Sequence, residues 1–425
     1  MKRAIFIAMM LVIALAVGAQ KVTLYCATSG DIHDAVNVAF VTPFEKENPN
    51  VRLEWVPINV TDASTMAMDA RIASGLPVHF YYDYMSRVAK YAIPKSAGGS
   101  IAALDLSKYI KDLDGYLPGW LESYNRDGQL AVPVTMHIIA QQINLSLLDK
   151  VGYVLPRKDR WSLAEFEKMA GKVKAAKIPD TWPTLMFAEN RSGDWMYMDW
   201  FASFGAPIFK DGKLALKPTD IKGLQVFKYW KWLQTMGYIP PEAAMMNDDH
   251  AIAYRDEGRL AAMGNRGVDV DLSSKALVEQ GILKEAPKTV LYPYPRAPGV
   301  EKAPVLTSFE LAMAFDTGKE AENAAAARLV WYFTNTDAQQ KMCDAGAKYP
   351  SRRGVKPLSD LYWNNAYALM VEQGTLDVGQ MHQGYDAIRG AMYPVLQKMF
   401  SGKASPVEAY VNYLGELQKV LDATR

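Results

Sequence analysis

Apolar and polar residues alternate over 21–27, where Val22, Leu24 and Cys26 share one face, and alternate again over 51–56. A period of two marks a strand with one face turned to a core. Between these runs, residues from about 35 to 47 carry helical spacing and stop at Asn48-Pro49-Asn50. The opening therefore predicts strand, helix, strand, the βαβ unit of an α/β sheet. The logic repeats with a helix over 64–73, a turn at Gly75-Leu76-Pro77 and a strand over 78–82. The run 130–143 begins Leu-Ala-Val-Pro-Val and continues through His137, Ile138, Ile139 and Ile143. It is too long for one modest strand and is expected to carry the chain from one domain to another.

From Ser162 the spacing becomes mainly helical. Ser162-Leu163-Ala164-Glu165 has the form of a capping box, and Trp161 before it can add a hydrophobic staple. Helices are expected over 195–204, 221–236, 250–257 and 320–333, from Thr334-Asn335-Thr336-Asp337 to near Gly346, and over 360–372, 385–400 and 406–423. Strand-like runs fall at 260–263 and 289–292. The Pro- and Gly-rich segment 292–299, with Pro304 after it, reads as a surface connection returning toward the first domain.

The stretch "GDWMYMDWFASFG" at 193–205 concentrates aromatic residues. On a helix, Tyr197, Trp200, Phe201 and Phe204 fall within about 100° of arc, while Trp195 and Asp199 point to the other side. A stripe of that width faces a core. Trp195 lies in the first turn beside Ser192 and Asp194 and is the better platform for a flat ligand. Tyr197, early in the helix, is a second candidate. Both side chains combine an apolar plane with a polar tip.

Half of the 425 residues are apolar, which is globular rather than disordered composition, and the length calls for two domains. Lys2 and Arg3, the apolar run 4–17 and the small residues Val17-Gly18-Ala19 form a secretory signal peptide with cleavage after Ala19. The run is shorter than the roughly 20 residues a membrane span needs. Cys26 does not follow small residues at the cut, so no lipid anchor is expected. Without Lys2 and Arg3 the chain has 45 basic against 46 acidic residues. That balance offers no field for nucleic acid or anionic lipid. Cys26 and Cys343 are expected as two buried thiols, a pairing being open from sequence.

Catalytic signatures are scarce. No G-x-S-x-G elbow occurs, and Gly318-Lys319-Glu320 lacks both the hydroxyl residue and the upstream glycine of a phosphate loop. The five histidines lack the spacing of a transition-metal site. Asp248-Asp249-His250 reads as a polar helix start favoured by the dipole. Neither cofactor nor metal is expected.

Five stretches then stand in a familiar order: "FEKENPNVRLEWV", "ARIASGLPVHFYY", "DRWSLAEFEKMAGKVKA", "DEGRLAAMGNRG" and "AENAAAARLVWYFTNTDAQQKMCDAGAKYPSRRGV". Together they resemble the extracellular solute-binding proteins of ABC transporters, the maltose-binding-like, sugar-binding family 1 group. The resemblance implies a periplasmic-binding-protein-like fold of two α/β lobes, joined by a multi-strand hinge and closing on a ligand held in the cleft between them. After the signal peptide 1–19, the N-terminal lobe would hold 20–135 and 306–349, the C-terminal lobe 136–305 and 350–425. A monomeric, exported (periplasmic or extracellular) receptor is implied. It would take a carbohydrate, expected to be an oligosaccharide, to a membrane permease without covalent chemistry.

Carried over residue by residue, the resemblance places Ser29, Asp31 and His33 on a ligand-facing loop and Tyr82, Asp83 and Tyr84 on a second. It places His137 at the first crossing, Asn190, Trp195 and Tyr197 in the helical wall, Asn265 and Arg266 after the "GRLAAM" run, Ser308 and Glu310 at the return, and Trp363 in the late helices. Three positions depart from the family pattern: His79 where Asp is common, Arg266 where an aromatic is common, and Thr307-Ser308-Phe309 without a glycine pair. Arg266 could make a bidentate contact to a carboxylate, so a binding protein for an acidic sugar or another anionic solute is the alternative. A secreted carbohydrate-active enzyme is a third reading and would need two carboxylates about 5–10 Å apart.

Overall fold

The computed structural model describes residues 21–423 apart from 30–39, 59–62, 98–100, 117–126, 157–159, 190–193, 211–212, 266–269, 347–348, 357–359, 381 and 383. The expected cleavage after Ala19 lies outside them. In chain order the elements are β1 Val22–Ser29, α1 Thr42–Glu47, β2 Val51–Ile58, α2 Ala63–Ala73, β3 Phe80–Tyr84, α3 Met85–Val88, β4 Ala102–Ala103, β5 Val132–Ile138, β6 Ala140–Asn144 and α4 Leu145–Lys150. There follow α5 Leu163–Ala175, α6 Asp194–Ser203, β7 Phe209–Lys210, β8 Lys213–Leu214, α7 Ile221–Thr235, α8 Asp248–Asp256, β9 Ala262–Asn265, α9 Val270–Glu279, β10 Thr289–Tyr292 and β11 Thr307–Asp316. The chain closes with α10 Glu320–Thr334, α11 Thr336–Gly346, β12 Tyr349–Pro350, α12 Asp360–Gln373, α13 Tyr385–Gly390, α14 Tyr393–Phe400 and α15 Pro406–Ala423.

The chain forms two compact units. One holds the residues up to Asp83, Tyr91–Pro133 and Leu311–Ala338; the other holds Tyr84–Lys90, Val134–Glu310 and Gln339–Arg425. The largest sheet has seven strands in the order β12-β5-β11-β3-β1-β2, with β4 on β11.

In the first unit the alternation read from the sequence produces parallel pairing of β1 with β2, Val22 opposite Val51 and Ser29 opposite Ile58. β1 also pairs in parallel with β3, Cys26 opposite Phe80. The expected βαβ unit is therefore present, although only 42–47 of its helix lies in a described helical segment. Glu45 accepts the Leu53 N–H at 2.7 Å and ties α1 to β2. Along α10, Ala325, Ala326 and Ala327 are all buried. Such small side chains let a helix approach a sheet closely, and Phe333 closes the space with rings 5.2 Å from Phe80 and 5.0 Å from Phe40.

The second unit contains the antiparallel sheet β10-β6-β9, with Gln141 opposite both Tyr292 and Gly264. Helices α5, α6, α7, α14 and α15 contribute to the aromatic core beside it, where Phe201, Trp230 and Tyr413 are fully enclosed. The capping box expected at α5 has both bonds: Glu165 N–H to Ser162 Oγ at 3.3 Å and Ser162 N–H to Glu165 Oε2 at 2.7 Å. The polar start at 248–250 is likewise a capped helix, with Asn247 Oδ1 accepting from His250 N at 3.1 Å.

The run 130–143, too long for one strand, is two strands broken at Ile139, whose N–H donates to Leu306 O at 2.8 Å. Two expectations need correction. The stretch 385–400 is two helices, α13 and α14, because Pro394 in the first turn of α14 cannot continue a hydrogen-bond ladder from the residues before it. The segment 292–295 is buried rather than superficial. Pro293 and Pro295 have no N–H to satisfy, and the remaining polar atoms find partners. Trp161 Nε1 donates to Pro293 O at 2.7 Å, and the Tyr292 and Tyr294 hydroxyls donate to Pro156 O and Met196 O, each at 3.0 Å. Cys26 and Cys343 are both free and buried.

Candidate functional site

In the second unit, β5 and the start of β11 run side by side. A side-chain bond from Thr135 to Glu310 and a backbone bond from Ile139 N–H to Leu306 O join them. On one face, Thr135 Oγ1 donates to Glu310 Oε2 at 2.6 Å, and His137 Nε2 lies 3.4 Å from Glu310 Oε1. Glu310 has no solvent exposure and His137 has 5%. An enclosed carboxylate is costly unless donors meet it. The Thr135 hydroxyl supplies one such donor to Glu310 Oε2.

Tyr84 sits where β3 turns into α3 and is half-buried. Its ring centroid is 6.1 Å from that of His137, at 42°, and the Arg87 guanidinium carbon lies 5.6 Å from the same ring. Arg87 follows Tyr84 by one helical turn, the spacing at which side chains meet. Of the residues singled out from the sequence, Tyr84, His137 and Glu310 are thus brought together, while Ser308 lies two residues before Glu310 on β11. Thr135 and Arg87 were missed. The first stands two residues before His137 on the same strand face and the second three residues after Tyr84, so both spacings were visible.

Other candidates are placed differently. Tyr82 is 2% exposed with its ring 5.9 Å from Phe333, and Asp83 is wholly enclosed, accepting from Tyr81 Oη at 2.9 Å. Tyr197 is 1% exposed, its ring 5.3 Å from Trp230 and its hydroxyl donating to Phe187 O. These three offer no surface to a solute here. Ser29 ends β1, Trp195 opens α6, Asn265 ends β9 opposite Ala140, and Trp363 lies in α12. Their side chains, like Asp31, His33, Asn190 and Arg266 as a whole, fall outside the description.

The departure at His79 has a structural account. Tyr25 N–H donates to its Nδ1 at 3.0 Å, so Nε2 carries the proton and donates to Glu322 Oε2 at 3.2 Å. Burial lowers the pKa of this imidazole even though Glu322 works in the opposite direction. Asp199 is also enclosed. Its Oδ1 accepts from Leu306 N at 2.8 Å, Oδ2 has no partner among the described residues, and burial raises its pKa well above the usual carboxylate range. Tyr294 crowds the same region, so a Cβ added at Gly264 would lie 1.9 Å from the Tyr294 hydroxyl. Only glycine fits there without displacing that ring, which explains Gly264 in "GRLAAMGN".

Residues 39–369 match the family model of the bacterial extracellular solute-binding proteins. The chain belongs to that family. No curated protein matches this solute-binding protein in sequence. Solved structures do share its fold. The GacH receptor of Streptomyces glaucescens, described unliganded and with acarbose, aligns at a TM-score of 0.75 and 18% identity, over 96% of this chain and 100% of that one. A chitin oligosaccharide binding protein aligns at 0.75 and 17%, over 96% and 99%. Maltose-bound MalE3 of T. maritima aligns at 0.74 and 16%, over 94% and 100%. Identities this low establish the fold, the mixed α/β architecture of periplasmic binding proteins. Family and neighbours alike are binding proteins rather than enzymes. Among the described residues no helix is long and apolar enough to cross a membrane, and no group of three or more His, Cys, Asp or Glu could hold a metal ion.

Proposed function

We propose that this solute-binding protein is the exported receptor of an ABC importer, that it captures a carbohydrate, most simply an oligosaccharide, and that it delivers it unaltered to a membrane permease. Lys2, Arg3 and the apolar run 4–17 support export through a cleaved signal. The observation that carries the ligand class is Tyr84. It is a partly exposed ring bordered by an imidazole and a guanidinium. A sugar ring lays its C–H face on such a plane while edge groups bond its hydroxyls. The saccharides held by the GacH receptor and MalE3 support the same reading.

Calorimetry with a panel of mono- and oligosaccharides tests it. Heat with at least one sugar is expected; binding confined to a peptide or polyamine would refute the class. A second reading, an acidic sugar or other anionic solute, is favoured by Arg87 against Tyr84 and by the Arg266 departure. Replacing Trp195 and Arg266 separately divides the two: loss only in the arginine variant points to an anion.

A further inference from the structure

Glu310 carries the one fully enclosed carboxylate of the Tyr84 cluster, and it cannot touch a solute. Its Oε2 is anchored by the Thr135 hydroxyl at 2.6 Å, which leaves Oε1 directed at His137 Nε2, 3.4 Å away. A carboxylate in its ionised form only accepts, and an imidazole facing it presents the nitrogen that bears hydrogen. The choice of ring nitrogen is set by the partner of the other atoms, not by the imidazole itself. His137 in turn presents its ring to Tyr84, 6.1 Å between centroids.

We propose that Glu310 and His137 are positioning residues: Thr135-anchored Glu310 holds His137 in its Nε2-protonated form and orientation, and His137 thereby fixes the plane of the Tyr84 ring on which the solute rests. The last clause rests on the carbohydrate reading; the first two do not. A glutamine at 310 keeps the size and can still accept from Thr135, but its amide presents either oxygen or nitrogen to His137 and no longer demands a proton on Nε2. Packing survives while the tautomer is released.

The test is nitrogen-15 NMR of the purified chain without ligand. The His137 imidazole is assigned by the loss of its signals in His137→Gln, and the Tyr84 ring by the loss of its carbon-13 signals in Tyr84→Phe. The wild-type chain is expected to show the Nε2-protonated pattern, and Glu310→Gln to shift it toward the other tautomer and move the Tyr84 ring signals with it. Coincident His137 spectra in the two proteins overturn the proposal, as does a His137 shift that leaves Tyr84 unmoved. Should Glu310→Gln fail to fold, Thr135→Val removes only the anchor and is expected to give a smaller shift of the same sign. Titration with maltotriose and chitotriose adds the functional arm. A loss of about tenfold in affinity in Glu310→Gln, or 1.4 kcal/mol, is expected for a sugar that binds the wild type; equal affinities overturn the link to binding. If neither sugar binds the wild type, the carbohydrate reading has failed for these probes, while the ligand-free spectra still decide the positioning of His137 and Tyr84.

Discussion

Two tyrosines of the second unit, Tyr84 and Tyr197, stand in opposite circumstances. Tyr197 belongs to the most aromatic helix in the chain and is 1% exposed, with Phe187, Trp230 and Tyr393 rings about it. Tyr84 has an imidazole and a guanidinium beside its ring and stays partly exposed. Density of rings therefore marks the core. The platform proposed at Tyr84 rests instead on a partly exposed ring whose neighbours carry charge or hydrogen-bonding edges. Helix α6 also shows why its stripe misled in part. Asp199, on the side away from the stripe, is as enclosed as the rings, so from 196 to 203 the helix is buried on both sides.

Several measurements would break or sharpen this contrast. The largest effect is expected for Phe201→Ala in α6, a fully enclosed ring: a loss of about 3–5 kcal/mol, read as a lowered denaturant midpoint. A loss below about 1 kcal/mol would show that the helix is not core. Asp199→Asn is expected to stabilise the protein at neutral pH. Because burial raises the folded carboxyl's pKa above the unfolded value of about 3.9, the stability it supplies is present below that pH and lost as pH rises. The advantage of the variant should thus grow from pH 4 to 7, and a flat difference in melting temperature would contradict it.

His79 has the reverse sign. Its folded pKa is lowered, so its contribution is full above about pH 6.5 and lost as pH falls. Melting temperatures between pH 7 and 5 should decline less steeply in His79→Asn than in wild type. Smallest of all, Tyr84→Ala should change stability by only about 1 kcal/mol or less, while abolishing most sugar binding in calorimetry. A stability loss on the scale of Phe201→Ala would place Tyr84 in the core instead.

Much of the fold was legible because local chemistry decided it. Alternation at 22–27 and 51–56 produced parallel strands, and Ser162 with Glu165 marked a helix start that has both capping bonds. What stayed hidden depended on tertiary surroundings. Nothing local distinguishes the buried Tyr292-Pro293-Tyr294-Pro295 segment from a surface loop, because its partners, Trp161, Pro156 and Met196, are distant in sequence. The candidate site shows the same division. His137 and Glu310 were singled out from the sequence, yet that Glu310 is enclosed rather than facing solvent follows only from its tertiary surroundings.

The two free thiols have a practical consequence. Cys26 lies in the first unit and Cys343 in the second, both buried, with burial pushing the Cys343 thiol up to about 12 and Cys26 well above its ordinary range. Neither supplies thiolate to an alkylating reagent while its surroundings hold. Each therefore becomes taggable only when its own half of the molecule opens, and mass spectrometry of pulse-alkylated peptides reports separately on the two halves without any engineered probe.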